Sequence, residues 1–580
     1  MVKQIRVFID GHHYYVPEKT TILDAAKMAG INIPTLCYYK GLNEIGACRV
    51  CVVQVEGYDR LFTACNNTVK EDMVIWTNSK KVRDARKLNV QMILSQHNDN
   101  CTLCERSGCC SLQKIANDLG LRDNPFKKKL PENKGNPNFP LIRDYQKCIK
   151  CMRCIQVCDK IQASHIWDVV NTGGRVNVDV RDVYSLEDSN CALCGQCITH
   201  CPVGALHERD DTERVLDAIS DPDTVVVAQI APSIRTSWGE PFGLPRHKAT
   251  IQRLAEALHL IGFNYIMDTD FSADLTIMEE AKEFLDQYTH KDEHKFPMFT
   301  SCCPGWVRYC KAHYPQFVDQ ISTSKSPQGM FGAIAKSYYA QLLDIDPHHI
   351  YVVSIMPCLA KKAECALPTL KDACGDPDVD VVLTTREIDS MIRSFSIMPN
   401  SIGERALDLP LGIGSGAGNI FGATGGVMEA ALRTAYYYAT GKNPDPDAFK
   451  NVRGMKGWKE STFDLAGNEV KVAVVNGLGN AKHLLDELAA GRVSYDFVEV
   501  MACPGGCVGG GGQPFTNDEF KAPERAEVLY EQDRANTLRF SHENPSIKDV
   551  YEHFLGEPGS ELAEKLLHTD QHGWKMPQEK

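Results

Sequence analysis

The sequence predicts a multidomain α+β and α/β protein, with small cysteine-held modules in front and an α/β domain of buried parallel strands behind. Three observations predict it. The chain has 580 residues, and single cores stop growing at roughly 250–300 residues, so several domains are needed. Of its 24 cysteines, sixteen precede residue 202 and eight are spread over the remainder. After residue 213, apolar runs such as Val225-Val226-Val227-Ala228, Tyr351-Val352-Val353-Ser354-Ile355 and Val472-Ala473-Val474-Val475 alternate with helical stretches, the texture of α/β packing.

Composition narrows the function. The 43% apolar and 24% charged fractions are those of a globular chain. A net charge of −12 argues against a nucleic-acid partner. No run of about 18 uncharged apolar residues exists, so no membrane span is expected. The start, Met1 to Asp10, lacks the layout of a signal peptide. A cytoplasmic, reducing location is therefore expected, where clustered cysteines read as metal ligands or catalytic groups rather than disulfides.

Taken in order, residues 4–10 alternate and Asp10-Gly11 signals a β-hairpin. Thr21-x-x-Asp24 resembles a capping box for a short helix with Ile22, Leu23 and Ala26 inward and Gly30 past its end. Residues 82–97 read as a helix with a broad apolar face of Val82, Ala85, Leu88, Val90, Met92, Ile93 and Leu94. Asn124 to Pro140, rich in Pro, Asn and Lys, reads as a linker. Thr424 is the expected cap of a helix ending near Gly441. Gly412 to Gly418 has the look of a dinucleotide fingerprint, but no strand of a βαβ unit precedes it, so it is set aside.

Three cysteine constellations fill the front. Cys37, Cys48, Cys51 and Cys65 suit a [2Fe–2S] cluster, although the first gap departs from the plant ferredoxin spacing, with a zinc site or unrelated thiols as the alternative. His97-x3-Cys101-x2-Cys104-x5-Cys110 offers three thiols and needs a fourth ligand, for which His97 and Cys109 compete. Cys148-x2-Cys151-x2-Cys154-x3-Cys158 recurs as Cys191-x2-Cys194-x2-Cys197-x3-Cys201-Pro202. This doubled run is that of two-cluster ferredoxins, in which the fourth cysteine serves the other cluster. One [4Fe–4S] then uses Cys148, Cys151, Cys154 and Cys201, and the other Cys191, Cys194, Cys197 and Cys158. Asp159 stands where that pattern has proline. The expected domains are 1–82, 83–138 with its linker, 139–212 and 213–580.

The rear thiols lie in three signatures: Thr300-Ser301-Cys302-Cys303-Pro304-Gly305-Trp306, Met356-Pro357-Cys358-Leu359-Ala360-Lys361-Lys362, and Met501-Ala502-Cys503-Pro504-Gly505-Gly506-Cys507. Two of them follow apolar strands, where α/β proteins place their sites. Four thiolates from three segments could hold one more [4Fe–4S] cluster, with Met356 and Met501 as soft, dry walls.

On these three signatures the chain resembles the [FeFe]-hydrogenases over essentially its whole length. The resemblance implies an N-terminal β-grasp, ferredoxin-like [2Fe–2S] domain, a small His/Cys cluster domain, a two-cluster ferredoxin-like domain and a C-terminal α/β domain holding an H-cluster. That cofactor is a [4Fe–4S] cluster joined to a two-iron site bearing CO, cyanide and azadithiolate. Its implied ligands are Cys303, Cys358, Cys503 and the bridging Cys507. Lys361 is the implied cyanide partner, and Ser233 and Gln328 are further contacts. Cys302 is the implied proton donor, followed by Glu283, Ser322 and Glu280, with Glu279 competing for one place. Glu280 and Glu283, i and i+3, share a helix face. An ordinary thiol pKa of about 8.5 would suit Cys302 to proton exchange. The two front modules also resemble the large iron–sulfur subunit of NADH dehydrogenases, which implies His97 rather than Cys109.

The implied inventory is one H-cluster, one [2Fe–2S] and three additional [4Fe–4S] clusters. Cys109, Cys310, Cys365 and Cys374 are left as buried thiols without a special role. Pro504, Leu359-Ala360 and Gly509 to Gly512 resemble subunits of NAD(P)-linked, electron-bifurcating complexes of anaerobes. That implies a flavin- and NAD(P)-binding partner, a small [2Fe–2S] subunit, ferredoxin and maturation enzymes. The alternatives are a monomeric ferredoxin-dependent hydrogenase and, from another class, a non-catalytic electron-transfer or assembly scaffold.

Overall fold

A computed structural model describes residues 3–183, 185–371, 374–516 and 519–578. The chain divides into two compact units. The first comprises residues 1–160, 165–185 and 200–207, and the second 161–164, 186–199 and 208–580. Residues 139–212 are thus shared between the units, and Cys191, Cys194 and Cys197 belong to the larger one.

The first unit opens with the expected hairpin, β1 (Gln4–Ile9) against β2 (His12–Pro17). With β3 (Val52–Val55), β4 (Leu61–Thr63) and β5 (Met73–Trp76) it forms a sheet of order β2-β1-β5-β3-β4. The pairing of β1 with β5 is parallel. The helix Ile22–Met28 starts where Thr21 accepts a hydrogen bond from Asp24 N (3.0 Å), and its Ile22, Ala25 and Ala26 pack into the core of this sheet. This is the β-grasp arrangement, one helix against a mixed sheet. Leu23 is only half-buried.

The next helix spans Lys80–Leu94. Its apolar face is narrower than expected: Val82 and Val90 are buried, but Leu88 and Met92 are 47% and 54% exposed. Arg86 fills the inner face instead, donating to Val52 O (2.8 Å). A helix the sequence reading missed, Ser111–Asp118, starts at Cys110. Residues 124–140 carry no helix or strand, as a linker should. Two small pairings complete the unit: β6 (Leu141–Arg143) with β9 (Leu206–Glu208), and β7 (Trp167–Val170) with β8 (Asn177–Val180).

The second unit holds two four-stranded sheets. The first sheet runs β11-β10-β13-β14, from β10 (Val225–Ile230), β11 (Tyr265–Asp268), β13 (Ile350–Ile355) and β14 (Val381–Leu383), all parallel. The second runs β12-β17-β16-β15, from β12 (Met298–Phe299), β15 (Trp458–Leu465), β16 (Asn468–Asn476) and β17 (Phe497–Met501). Only β15 is antiparallel there. The strands of the first sheet are apolar on both faces and buried in one large core, as parallel strands covered by helices require. The long helix Thr269–Thr289 supplies residues to both this core and that of the second sheet. No helix among the described residues is long and apolar enough to cross a membrane.

Candidate active site and metal centres

In the first unit the cysteine groups assemble locally. Cys37, Cys51 and Cys65 are buried and Cys48 half-buried. The pairs Cys37 with Cys48 and Cys51 with Cys65 sit within hydrogen-bonding reach, and each pair shifts its members' pKa values in opposite directions. The intervening loop has backbone in the left-handed region at Gly46 and Arg49, and it turns Cys48 N toward Cys37 Sγ (3.5 Å).

His97 is buried, and its Nδ1 lies 2.9 Å from the Lys147 carbonyl. A carbonyl only accepts, so Nδ1 carries the proton and the Nε2 lone pair is left for a metal. Burial also lowers the His97 pKa, which keeps the ring neutral. Cys104 acts electrostatically on both Cys101 and Cys110. Cys109 instead turns its thiol to Arg106 O (3.6 Å).

Within the next expected set, Cys201 and Cys154 act electrostatically on Cys151, and Cys148 and Cys201 act on Cys154. The buried Arg143 guanidinium faces Cys148, Cys154 and Cys201. Cys158 accepts from Ile166 N (3.3 Å) and Cys191 from Leu193 N (3.4 Å).

The rear site is made at the carboxyl ends of strands from both sheets. Cys302 and Cys303 follow β12, and Cys303 caps the Pro304–His313 helix while its Sγ accepts from Ala502 N (3.4 Å). Cys358 follows β13, and Cys503 and Cys507 follow β17. Burial raises the pKa of all four thiols; Cys303 adds to the rise at Cys358, and Cys303 and Cys358 add to it at both Cys503 and Cys507. Cys503 Sγ lies 3.8 Å from Cys194 O. The glycine run makes this approach possible: a Cβ on Gly511 would stand 2.5 Å from both Cys194 O and Gly195 Cα.

Around the thiols lie the other expected residues. Lys361 donates to Glu364 Oε2 (2.8 Å) and Cys302 O (3.2 Å). Glu364, which the sequence reading missed, also receives Ser326 Oγ (3.0 Å) and Gln328 Nε2 (3.1 Å). Its position three residues after Lys361 on one short helix was the available signal. Met356 and Met501 are buried. Ser233 packs against Gly422, whose carbonyl accepts from Val508 N beside Cys507. Ser233 Oγ and Gln328 Oε1 are buried without a hydrogen-bond partner. Buried polar atoms are normally satisfied. Four thiols, one ammonium and these open polar atoms fit an anionic iron–sulfur cofactor with polar ligands.

The acidic path has a definite order. Glu280 is fully buried, accepts from Ser301 N (3.4 Å) and acts electrostatically on Cys302. Ser322 interacts with Glu280 and donates to Glu283 Oε2 (2.6 Å). Glu283 is half-buried and also takes Thr323 N (3.1 Å). The order from Cys302 is therefore Glu280, Ser322, Glu283, the reverse of the expectation. The direction of the Thr269–Thr289 helix places its earlier residue inward. Glu279 lies off this path, held by Tyr551 and Gly559 N (3.0 Å). Glu280 is pushed up to about 8, by burial first and the Glu283 charge second. Cys302 is raised well above an ordinary thiol by burial and then by Glu280, so its proton is held more tightly than expected.

Of the leftover thiols, Cys310 is buried and Cys365 half-buried, while Cys374 is exposed, contrary to expectation. Gly412 to Gly418 is a packing segment: a Cβ on Gly414 or Gly418 would collide with Asp270.

Comparison with known proteins now decides the family. The model for the C-terminal domain of the iron-only hydrogenase large subunit matches residues 224–511. The chain is 45% identical to the NADP-reducing hydrogenase subunit HndD of Solidesulfovibrio fructosivorans, covering 98% of this chain and 99% of that one. The chain belongs to the [FeFe]-hydrogenase family. Iron hydrogenase 1 of Clostridium pasteurianum is 38% identical over 97% of this chain and 99% of its own. A solved variant of the [FeFe]-hydrogenase HydA1 of Chlamydomonas reinhardtii superposes with a TM-score of 0.57 at 39% identity, covering 63% of this chain and 99% of that one. The front of this hydrogenase matches models for a 2Fe–2S cluster binding domain at 2–80, an iron–sulfur region of NADH-ubiquinone oxidoreductase at 86–125 and a 4Fe–4S dicluster domain at 147–205. A model described as the iron hydrogenase small subunit matches 520–572, so this hydrogenase carries that piece within the same chain.

Proposed function

We propose that this hydrogenase interconverts protons and H2 at an H-cluster held by Cys303, Cys358, Cys503 and Cys507, and that it works in the cytoplasm as the hydrogen-converting subunit of an NAD(P)- and ferredoxin-linked complex. The observation that carries the chemistry is the convergence of these four thiols with Lys361 at one end of the Cys302–Glu280–Ser322–Glu283 chain. When bound, the cofactor would supply the redox-active iron at which H+ and H2 interconvert.

The chain's own residues do the rest. Lys361 presents an ammonium whose charge is kept by Glu364, the only inexpensive way to bury it. Ser233 and Gln328 offer hydrogen-bonding atoms, and Met356 and Met501 keep the wall apolar. Cys302 holds a proton on Sγ. Glu280, raised to about 8, is protonated near neutral pH and passes its proton in either direction through Ser322 to Glu283. The front cysteines would hold the clusters that supply electrons, and Cys194, which would help hold one of them, has its carbonyl beside Cys503. The azadithiolate, the bifurcating partners, the small [2Fe–2S] subunit and the maturation enzymes belong to this reading. Its support is the likeness to a subunit named for NADP reduction along nearly the whole chain. A scaffold would need no proton path, and a monomer would need no such partner.

The matured protein should show infrared bands of CO and cyanide. Cys302→Ser should keep those bands and lose turnover by on the order of a hundredfold or more. A spectrum without them, or full turnover in that variant, would reject the active-site assignment.

A further inference from the structure

The hydrogen-bond chain does not stop at Glu283. Glu283 Oε1 accepts from the Thr323 hydroxyl (3.2 Å), and that hydroxyl lies 2.7 Å from His568 Nδ1. On the other side of the ring, Nε2 is 3.1 Å from Glu279 Oε2. Glu279 is fixed in turn by the Tyr551 hydroxyl and by Gly559 N. His568 follows the Glu561–Leu567 helix, with its side chain 6% exposed, while Thr323 is exposed. The charged groups facing the ring are Glu279 and Glu283 from the Thr269–Thr289 helix and Glu564, 3.8 Å from Nδ1, from the helix before it.

Counting protons gives this cluster two states. Glu279 already receives two donors, so as a carboxylate it takes an N–H from Nε2. The Thr323 hydroxyl owns a single proton. When that proton points to Glu283, Nδ1 must donate to Thr323, and the ring is an imidazolium. When the ring is neutral, Nδ1 accepts the hydroxyl proton and Glu283 loses that donor. The threonine hydroxyl therefore reports the charge of the ring to Glu283.

We propose that His568 is a further proton station of this hydrogenase, acting on Glu283 through the exposed Thr323. In the inward direction the Nδ1–H bond breaks and its proton goes to Thr323 Oγ1, while the Thr323 O–H bond breaks and its proton goes to Glu283 Oε1. An imidazolium and a carboxylate become a neutral imidazole and a carboxylic acid, and no electron moves. H2 oxidation runs the same transfers outward. Glu279 holds the ring and favours its charged form. The inference rests on the proton-path reading above. His568 touches no cofactor, so it is a positioning residue, and its test needs more than loss of rate.

The experiment compares parent, His568→Ala, His568→Gln, Glu279→Gln and Glu283→Gln as matured full-length proteins, with a soluble one-electron dye as electron donor. His568→Ala and His568→Gln should lower H2 evolution by about tenfold near neutral pH and by less at lower pH, where bulk protons reach half-buried Glu283 directly. The KM for the dye should not move. Added imidazole should restore the alanine variant, and Glu279→Gln should shift the pH midpoint down because an anion beside the ring is gone. Full turnover of both His568 variants across about pH 6 to 9, or a loss that imidazole does not restore, would overturn the proposal. Normal turnover in Glu283→Gln would reject the underlying path. A slow Glu283→Gln beside normal His568 variants would reject this inference alone.

Discussion

Glu280 is a carboxyl group without a cation of its own, fully buried between Ser301 and Ser322 with Glu283 as its charged neighbour. Its folded pKa of about 8 stands above an ordinary value of 4.5. The protonated form is therefore favoured by folding, and its contribution is complete below about pH 4.5 and lost as pH rises through about 8. Glu280→Gln has no such loss. The gap in unfolding temperature between variant and parent should therefore move in favour of the variant as pH rises through that window, with an upper limit of about 5 kcal/mol. A gap independent of pH would contradict the burial argument. Spacing alone singled out the doubled cysteine run, because cluster geometry dictates the intervals between ligands, whereas the rear thiols were assigned only through the family resemblance. Spacing also put Glu280 and Glu283 on one face. It did not say which of the two lies inward, because periodicity carries no information about what a helix end approaches. Glu364 was legible only as an i,i+3 neighbour of Lys361. His568 was not legible as a proton station, since its hydrogen-bond partners are 245 and 289 positions away.

At the scale of elements, one cap shows why local rules miss. The helix Gly426–Thr440 was expected to begin at Thr424, a good N-cap type. Gly425 takes that place with φ +90°, and the capping group is the Glu499 side chain from β17. Its two oxygens accept from Gly425 N (2.6 Å) and Met428 N (2.8 Å). A carboxylate at a helix N-terminus also meets the positive end of the helix dipole. The glutamate sits between two strand valines, so its sequence reads as core, and only the packing of the second sheet shows its task. Glu499→Gln replaces one acceptor with a donor facing an N–H group. It should lower stability by about 1–3 kcal/mol, read as a lower unfolding temperature with Cys503 and Cys507 left in place. An unaltered unfolding temperature would show that the cap is idle. The strands themselves were legible as apolar runs. Their division into two sheets was not, because β12 is two residues long and β15 alternates toward solvent.

For the whole molecule, the doubled cysteine run is a single motif in the sequence, yet it is divided between the two units, with Cys191, Cys194 and Cys197 in the larger and Cys148, Cys151, Cys154, Cys158 and Cys201 in the smaller. Pattern reading groups what is adjacent in sequence, whereas packing groups what shares a core. The complex reading is tested at this scale too. Purification from its own cells should bring down a flavoprotein, and H2-dependent NAD(P) reduction should require that companion. A lone chain fully active with ferredoxin would favour the monomer instead. The contact of Gly511 with Gly195 has a consequence of its own. A methyl group on either residue would meet the backbone of the other, so the proposed electron route owes its short reach between the Cys194 and Cys503 segments to two side chains that are missing.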